Sequence, residues 1–460
     1  MTLNMNTRIF REYDIRGVAE RDLSNELAFS LGRALATHLW QEGGITIAVG
    51  RDCRLTSDRL FKALTEGMRE SGANVLDIGV VSTPQLYFAA FHEEPHGAVI
   101  ITGSHNPGPD NGFKMLRGKS SIYGDEIDSL RERIEKSDFR DSETPGGLSE
   151  KDLSQDYLDY AISTLTMGKK KLKVVVDAGN GTGGPIALRL YEKLGVEIVP
   201  LYCEMDGNFP NHHPDPTVEE NLEDLKRAVA EHGADLGIAL DGDADRIGAI
   251  DSRGRVLWGD QLLIIFGRAL LKEVPGATII GEVKCSQSLY DELNAAGGNA
   301  IMSKVGHSLI KAKMKEENAL LAGEMSGHIF FKHRFLGFDD GAYAGARLLE
   351  ILSNSSSSLS QLYDTLPAMV NTPEIRVECP DEIKFEVVAQ VTSAMKSHEQ
   401  VQSVIDVDGV RANFGDGWGL VRASNTQPSL VMRCEAESEA RLADIRSILE
   451  SAIAEARASR

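Results

Sequence analysis

The chain repeats one pattern, in which a short apolar run is followed at once by a loop of glycine and polar residues. Six such runs occur, at 45–49, 98–101, 173–177, 236–240, 278–281 and 319–322. Apolar runs of this length, rich in β-branched residues, are typical of buried strands, and helical spacing follows several of the loops. The pattern predicts three α/β units, each presenting polar loops at the carboxyl ends of its strands, where ligands bind in open α/β sheets.

The pattern changes after a serine-rich stretch at 353–358 and a proline-containing run that ends at Pro373. Beyond it, the sequence predicts a strand at 375–378, a helix near 382–395, several short strands and a last helix over 436–456. This order is typical of an α+β domain. The predicted domain bounds are 1–153, 154–255, 256–367 and 368–460.

The charge, the cysteines and the apolar segments of the chain limit what kind of protein it is. Asp and Glu number 69 against 49 Lys and Arg, and no long basic run occurs, so nucleic acid is not an expected partner. The five cysteines form no C-x-x-C pair, which favours reduced thiols. The first residues lack an apolar signal segment and no stretch is apolar enough to cross a bilayer. We expect a soluble, cytoplasmic protein without a membrane partner.

Ser104 stands on a tight loop directly after the strand predicted at 98–101. A hydroxyl on a stiff turn at a strand end is well placed to act as a nucleophile. His105 follows it, and the Asn-Gly pair at 111–112 is expected to turn the chain so that Lys114 returns near the serine. The loop thus offers a hydroxyl, an imidazole and an ammonium group.

Two other interpretations of Ser104 remain open. Serine often does no more than fill a turn. The nucleophile elbow of serine hydrolases requires glycines two residues before and after the serine, where this chain has Thr102 and Asn106. Acyl transfer is therefore not favoured.

A second loop carries Asp241, Asp243 and Asp245, separated only by Gly and Ala, directly after the strand at 236–240. Three converging carboxylates suit a hard divalent cation, and Mg²⁺ is favoured because it keeps few protein ligands and leaves a position for phosphate. Arg246 follows and can face the same phosphate. A calcium EF-hand loop, the Asp-x-Asp nucleophile of haloacid dehalogenase-type phosphatases and a solvated acidic turn are the alternatives.

A third loop contains Glu324, Ser326 and His328, and a histidine lies upstream at His307. These side chains are candidates for binding sugar hydroxyls. Together with a nucleophile, a metal site and clustered cations, they indicate phosphoryl transfer to or from a polyol.

Two further segments offer anion-binding groups. The turn at 422–428 combines a guanidinium with hydroxyls and small residues, which suits a phosphate but is also found in ordinary polar hairpins. Near the start of the chain, Tyr13 and Arg16 precede a glycine turn and suit an oxyanion, although they would equally flank an edge strand.

Four segments in this order make the chain resemble the α-D-phosphohexomutase family: residues 102–107, 241–246, 323–328 and 422–426. They are similar to that family's phosphoserine, metal, sugar and phosphate loops, and the segments 13–17 and 304–311 extend the resemblance over nearly the whole chain. Within the family the chain is most similar to the bacterial phosphomannomutase/phosphoglucomutase group, because Met325 stands where phosphoglucosamine mutases usually have Gln.

The resemblance implies a heart-shaped isomerase, an intramolecular phosphotransferase, whose three related α/β domains and TATA-box-binding-protein-like α+β domain surround a central cleft. It implies a monomer that interconverts hexose 1-phosphate and hexose 6-phosphate, of glucose, mannose or both. A phosphoserine at Ser104, a 1,6-bisphosphate intermediate, Mg²⁺ and activation by glucose 1,6-bisphosphate are implied as well. Alternatives are a phosphoglucosamine mutase, a serine-dependent sugar phosphatase and a non-catalytic sugar-phosphate sensor.

The resemblance also implies a role for each site residue. The implied metal ligands are Asp241, Asp243, Asp245 and a phosphoserine oxygen of Ser104. The implied catalytic residues are Ser104, His105, Lys114, Arg246, His328, Tyr13 and Arg16, with Lys114 and His328 as candidates for the general acid or base. The implied substrate-binding residues are Glu324 and Ser326 at O3 and O4 of the sugar, Lys284, His307, and the phosphate clamp Arg422, Ser424, Asn425 and Thr426.

Overall fold

Four β-sheets follow one another along the chain in the computed structural model, which describes residues 5–425 and 427–458. Each of the first three sheets combines parallel strands with an antiparallel edge, and the fourth is antiparallel throughout. The predicted fold class, three α/β units followed by an α+β unit, is confirmed.

The first sheet has the strand order β1-β5-β4-β2-β3-β7, with β6 paired to β5. Its strands are β1 (Ile15–Val18), β2 (Thr46–Arg51), β3 (Asn74–Val80), β4 (Gly97–Ile101), β5 (Asp110–Arg117), β6 (Ser120–Ser121) and β7 (Leu148–Glu150). Its helices are α1 (Ala19–Asp22), α2 (Asn25–Leu39), α3 (Ser57–Glu70), α4 (Thr83–His92) and α5 (Asp125–Lys136). Helix α2 begins where the Ser24 hydroxyl accepts from the Leu27 amide, an N-cap that satisfies one free donor of the first turn.

The second sheet has the order β12-β11-β10-β8-β9. Its strands are β8 (Lys173–Asp177), β9 (Glu197–Leu201), β10 (Leu236–Leu240), β11 (Ile247–Asp251) and β12 (Val256–Leu257). Its helices are α6 (Ser154–Ser163), α7 (Gly183–Lys193) and α8 (Glu223–His232). Strand β10, which is wholly buried, and strand β8, which is buried except at Lys173, coincide with two of the apolar runs predicted from the sequence.

The third sheet has the order β14-β13-β15-β16. Its strands are β13 (Thr278–Glu282), β14 (Asn299–Ser303), β15 (Leu321–Gly323) and β16 (Ile329–Phe331). The helices of this unit are α9 (Gly259–Glu273), α10 (Gln287–Ala295), α11 (His307–Glu316), α12 (Gly341–Ser353) and α13 (Leu359–Tyr363).

The fourth sheet has the order β17-β22-β21-β20-β19, with β18 also paired to β22. Its strands are β17 (Val370–Asn371), β18 (Ile375–Glu378), β19 (Ser403–Ile405), β20 (Val410–Asn413), β21 (Gly417–Ala423) and β22 (Ser429–Ala436). Helices α14 (Lys384–Ser397) and α15 (Glu439–Ala458) pack on it.

The same structural position recurs in the first three units. Strands β4, β10 and β15 lie in the parallel part of their sheets, and each is followed by an antiparallel neighbour, β5, β11 or β16. The three predicted site loops are the connections inside these pairs. They therefore leave their sheets at equivalent edges, which places their polar side chains where ligands bind in open α/β sheets.

The first three units share a continuous hydrophobic core, whereas the fourth has its own. The fourth unit docks on the loop after β13 through polar groups and through a small apolar cluster of Val283, Trp418 and Leu420. The buried Arg411 guanidinium donates to the carbonyl oxygens of Val283 and Cys285 at 2.5 and 2.7 Å, and Glu435 accepts from the Ser286 hydroxyl at 2.9 Å. All five cysteines are free, as predicted. Within residues 5–425 and 427–458, no helix combines the length and the apolar character that crossing a bilayer requires.

Candidate active site

Ser104 lies buried at the tip of the loop between β4 and β5 with a left-handed backbone, φ +48°. A non-glycine residue adopts this conformation at a cost, so contacts must hold it. Its amide donates to the Thr102 hydroxyl at 2.8 Å. Its Oγ lies 3.1 Å from His105 Nδ1 and 3.0 Å from Asp241 Oδ2. The candidate nucleophile therefore contacts the carboxylate loop of the next domain directly.

Arg54 holds this loop from behind. Its guanidinium is wholly buried and donates to five backbone carbonyl oxygens of the loop, those of Ser104, Asn106, Pro107, Gly108 and Asp110. A Cβ on Gly103 would meet this guanidinium at 2.5 Å, so only glycine fits there. From the cleft side Arg16 donates to the Gly103 carbonyl at 3.1 Å and to Asn106 Oδ1 at 3.2 Å.

Asp241, Asp243 and Asp245 lie fully buried and close enough together to share one cation. Lys114 Nζ donates to Oδ2 of Asp243 at 2.8 Å and to Oδ2 of Asp245, and Thr83 Oγ1 donates to Oδ2 of Asp243 at 2.6 Å. Oδ1 of Asp243 and Oδ1 of Asp245 have no hydrogen-bond partner among the described residues.

The charges of this cluster are unevenly balanced. Burial and the charges of Asp243 and Asp245 raise the pKa of Asp241 well above its usual value. Burial opposes ionisation of Asp243, but the Lys114 ammonium outweighs it and holds the pKa of Asp243 far below its usual value. Burial likewise opposes the charge on Lys114, yet the two carboxylates raise its pKa.

These residues fit a hard divalent cation. Buried carboxylate oxygens without partners are rare because each leaves an uncompensated desolvation cost, and oxygen donors are what Mg²⁺ prefers. A cation beside Oδ1 of Asp243 and Oδ1 of Asp245 would add positive charge to a cluster in which Lys114 contacts only two of the three carboxylates.

The expected path of the chain to Lys114 is wrong in one detail. The reversal occurs earlier, where the Asp110 amide donates to the Pro107 carbonyl at 2.9 Å, and residues 111 and 112 lie inside β5. The chain does not turn at Asn111, because the side-chain amide of this residue donates to the hydroxyls of Thr56 and Ser57. Antiparallel pairing then sets Lys114 opposite Ile100, so that it faces the carboxylates.

The metal loop and the sugar loop are joined across a domain boundary. Arg246 and His328 form an antiparallel bridge, and Arg246 Nε donates to His328 Nε2 at 3.0 Å. On the opposite side of the ring, Nδ1 of His328 lies 3.0 Å from Oδ2 of Asp339. Burial opposes the charge on Asp339, but Lys311 and His328 hold its pKa well below its usual value. Burial, Arg246 and Arg16 hold the pKa of His105 well below its usual value.

The sugar loop faces the start of α11. Glu324 is buried and its Oε1 accepts from the Gly306 amide at 2.7 Å, while Ser326 is half-buried at the loop tip. The His307 ring stacks on His328 with centroids 5.6 Å apart. Burial and the nearby Lys311 charge hold the pKa of His307 well below its usual value.

The predicted phosphate turn lies across the cleft from this loop. Arg422 Nε donates to Asp408 Oδ2 at 2.9 Å, and the Ser424 hydroxyl accepts from the Gln427 amide at 3.1 Å. Asn425 Nδ2 donates to the Tyr13 hydroxyl at 2.6 Å. Thr426 lies outside the described residues.

Tyr13 and Lys284 line the same opening. The Tyr13 hydroxyl donates to the Val305 carbonyl at 2.8 Å, so with Asn425 it touches the third and fourth domains at once. Lys284 Nζ lies 3.3 Å from Glu374 Oε2, and the carboxylates of Glu282 and Glu374 raise the pKa of Lys284 against the effect of burial.

The structure thus brings the predicted site residues that it describes to one cleft, and their individual roles stay predictions. Sequence reasoning missed Arg54, Thr83, Lys311, Asp339 and Asp408. Arg54 could have been found from the sequence, because it lies in the loop after the carboxyl end of β2, just as the predicted site residues lie in loops after their strands. Asp339 and Thr83 had weaker ones, since each lies beside the start of a helix, where Asp and Thr are common as caps.

Comparison with known families gives four matches in the order of the four sheets. The models described as phosphoglucomutase/phosphomannomutase alpha/beta/alpha domains I, II and III match residues 7–141, 155–254 and 258–370, and the model of the C-terminal domain matches residues 374–451.

Individual relatives match along almost their whole length. The chain is 44% identical over 445 residues to a phosphoglucomutase of Neisseria gonorrhoeae, covering 97% of this chain and 96% of the relative. It is 45% identical over 443 residues to a phosphomannomutase/phosphoglucomutase of Pseudomonas aeruginosa, covering 96% and 95%. A crystal structure of a phosphoglucomutase/phosphomannomutase family protein from Burkholderia thailandensis superposes with a TM-score of 0.92 at 41% identity, over 99% of this chain and 98% of the other. The chain therefore belongs to the phosphoglucomutase/phosphomannomutase family and is an isomerase.

Proposed function

We propose that this protein interconverts hexose 1-phosphate and hexose 6-phosphate, of glucose, mannose or both, through a phosphoserine at Ser104 and a 1,6-bisphosphate. The observation that carries the proposal is the contact of Ser104 Oγ with Asp241 at 3.0 Å, beside two buried carboxylate oxygens that have no partner in the described part of the chain. The names of the relatives from Neisseria gonorrhoeae and Pseudomonas aeruginosa support the two sugars.

Mg²⁺ is the proposed cation, held by Asp241, Asp243, Asp245 and an oxygen of the Ser104 phosphate. When bound, it neutralises charge that develops on the transferred phosphoryl group. Arg16, Lys114 and Arg246 supply further positive charge at the same place, which is the main requirement of phosphoryl transfer.

Substrate binding is assigned to two separate groups of residues. Glu324 and Ser326 hold sugar hydroxyls, with His307 and Lys284 beside them. Arg422, Ser424, Asn425 and Thr426 clamp the phosphate that does not react, with Tyr13 closing over them. A clamp at one end and hydroxyl contacts in the middle would accept either orientation of a bisphosphate, as a mutase requires.

The proposed chemistry consists of two transfers. In the first, the bond from phosphorus to Ser104 Oγ breaks, a bond from phosphorus to the free sugar hydroxyl forms, and the proton of that hydroxyl passes to a base. The bisphosphate then turns over, and its other phosphoryl group returns to Ser104 while the proton goes back to the sugar oxygen. His328 Nε2 is the proposed base, since the donors of Lys114 are already directed at two carboxylates.

Transfer to water is disfavoured by the closure of the cleft. Tyr13 contacts residues of the third and fourth domains, and Ser104 is buried. Exclusion of water protects a phosphorylated intermediate from hydrolysis.

The test incubates phosphorylated enzyme and Mg²⁺ with glucose 1-phosphate and a trace of glucose 1,6-bisphosphate. Glucose 6-phosphate should appear without stoichiometric release of inorganic phosphate. Ser104→Ala should lose nearly all turnover, whereas Ser137→Ala should keep it. Ser137 is a matched control because it is a serine with the same left-handed backbone, φ +51°, on an exposed helix end.

Each alternative gives a different result in the same assay. A phosphatase would release phosphate in step with the loss of substrate. A phosphoglucosamine mutase would prefer N-acetylglucosamine 1-phosphate over glucose and mannose 1-phosphates in kcat/KM. A sugar-phosphate sensor would keep its binding function in Ser104→Ala, and absence of glucose 6-phosphate with the wild-type chain would refute the proposal.

A further inference from the structure

A buried carboxylate lies behind two of the histidines that line the cleft. Asp339 is fully buried between β16 and α12, and its backbone bridges Phe330 of β16, which fixes its position. Its Oδ1 accepts from Lys311 Nζ at 3.1 Å. Its Oδ2 lies 3.0 Å from His328 Nδ1 and 4.0 Å from His307 Nδ1.

The partners of His328 fix where its ring proton lies. Arg246 Nε can only donate, so His328 Nε2 must accept at 3.0 Å and carries a lone pair. In a neutral imidazole the proton is then on Nδ1. This atom lies 3.0 Å from Asp339 Oδ2 but is not aligned with it for a hydrogen bond, so Asp339 acts on the proton through its charge. The His328 ring therefore carries its hydrogen on Nδ1, on the side of Asp339. The lone pair of Nε2 is directed towards Arg246 and Glu324, and Glu324 Oε2 lies 3.8 Å from Nε2.

We propose that Asp339, anchored by Lys311, is a positioning residue that fixes the tautomer and orientation of His328 so that Nε2 can accept a proton in the cleft. This inference rests on the proposed function for the identity of the reaction. When Arg246 turns to a phosphate oxygen, Nε2 takes the proton of the sugar hydroxyl in the first transfer. It returns that proton to the other sugar oxygen in the second, so His328 is unchanged after each cycle. Asp339 stabilises the imidazolium between the two steps.

The spacing of Asp245, His328 and Asp339 would also suit a second cation. The surrounding charges argue against it. Lys311 is directed at Asp339 and Arg246 at His328, so a cation there would face two positive groups, and His328 Nδ1 would have to lose the proton that its partners assign to it.

The test compares Asp339→Asn with the wild-type chain. The Lys311 ammonium requires an acceptor, so the amide oxygen of the new side chain turns to it and the NH₂ group faces His328 Nδ1. Nδ1 then faces a donor in place of the carboxylate, so the ring proton moves to Nε2 and Arg246 Nε, which can only donate, turns away from it. We expect kcat for hexose phosphate interconversion to fall by about 10²- to 10⁴-fold, with KM changed less than about threefold.

The tautomer is read without substrate, from two-bond ¹H–¹⁵N correlations of ¹⁵N-histidine-labelled protein, with His328 assigned from His328→Gln. The wild-type chain should show the Nδ1–H form and Asp339→Asn the Nε2–H form. Asp339→Glu, which keeps the carboxylate, should restore the Nδ1–H form and part of kcat. Asp340→Asn is the matched control. Asp340 is the next residue in the chain, but it caps α12 and accepts from the Tyr157 hydroxyl. This substitution should change neither the His328 tautomer nor kcat.

A wild-type Nε2–H form, an unchanged tautomer in Asp339→Asn, or an unchanged kcat in that variant would each overturn the inference. A lowered kcat with the Nδ1–H form retained would reduce Asp339 to a structural residue and would also overturn it. If the wild-type chain interconverts no hexose phosphate, the proposed function fails. The tautomer measurement needs no substrate, so it would still show whether Asp339 controls the ring proton of His328.

Discussion

Replacing Arg54 by lysine tests whether the serine loop is held in place by one buried guanidinium. Arg54 donates to five loop carbonyl oxygens at 2.6 to 3.3 Å. A lysine ammonium has three donors, so at least two of these carbonyls lose their partner. An acceptor left without a donor costs about 1–3 kcal/mol where it is buried and less at the exposed Pro107 and Gly108, so Arg54→Lys costs at most about 6 kcal/mol.

The same change should slow phosphoryl transfer, because the left-handed backbone of Ser104 persists only while its surroundings hold it. A displacement of the reacting oxygen by about 1 Å costs about 10²-fold in rate. We therefore expect kcat to fall by about 10- to 100-fold. For a domain of this size each kcal/mol lowers the melting temperature by about 2–4 °C, so a loss of at most about 6 kcal/mol lowers it by at most about 24 °C.

The measurements are thermal unfolding followed by fluorescence and the conversion of glucose 1-phosphate to glucose 6-phosphate. Arg59→Lys is the matched control, since Arg59 also donates to carbonyl oxygens of the first domain, those of Leu23 and Ala19, but not to the serine loop. If Arg54→Lys matches Arg59→Lys in both melting temperature and kcat, the loop does not depend on the guanidinium and the reasoning is wrong.

Three further changes have distinct expected outcomes. Asp241→Asn should weaken Mg²⁺ binding by more than about tenfold in calorimetric titration, since one of three carboxylate charges is lost; equal affinity would place the cation elsewhere. Tyr13→Phe should raise KM for glucose 1-phosphate by about 2- to 12-fold with little change in kcat, because the contacts with Val305 and Asn425 are lost. Burial raises the pKa of Asp340 to about 7. The stability this group contributes is therefore full below about pH 4 and lost as the pH rises through about 7. The melting temperature of Asp340→Asn should thus exceed that of the wild-type chain by more at pH 8 than at pH 5, and a constant difference would contradict the raised pKa.

The strands and the polar loops were predictable because both are local properties of the sequence. The apolar run at 236–240 is bounded by polar residues, and β10 has the same bounds. Arg54 was not predictable in the same way, since its partners are backbone carbonyls about fifty residues away, which no side-chain pattern records. Asp339 was missed for a similar reason, because its proposed role depends on contacts with Lys311 and His328, which lie in other elements. The turn predicted at the Asn-Gly pair 111–112 does not form there, because tertiary contacts of Asn111 override its turn preference.

The strengths of the contacts around the cleft indicate where it opens. The first, second and third domains are joined by buried charges, with Lys114 on Asp243 and Asp245 and Arg246 on His328. Breaking a buried ion pair costs about 3–5 kcal/mol, whereas the neutral hydrogen bond of Asn425 to Tyr13 is worth about 0.5–1.5 kcal/mol. The fourth domain keeps its buried guanidinium contacts with the loop after β13 in either case. We therefore expect substrate to enter when the contacts of Asn425 with Tyr13 and of Asp408 with the Val305 amide break and the fourth domain pivots about that loop, while the residues around Ser104 stay assembled.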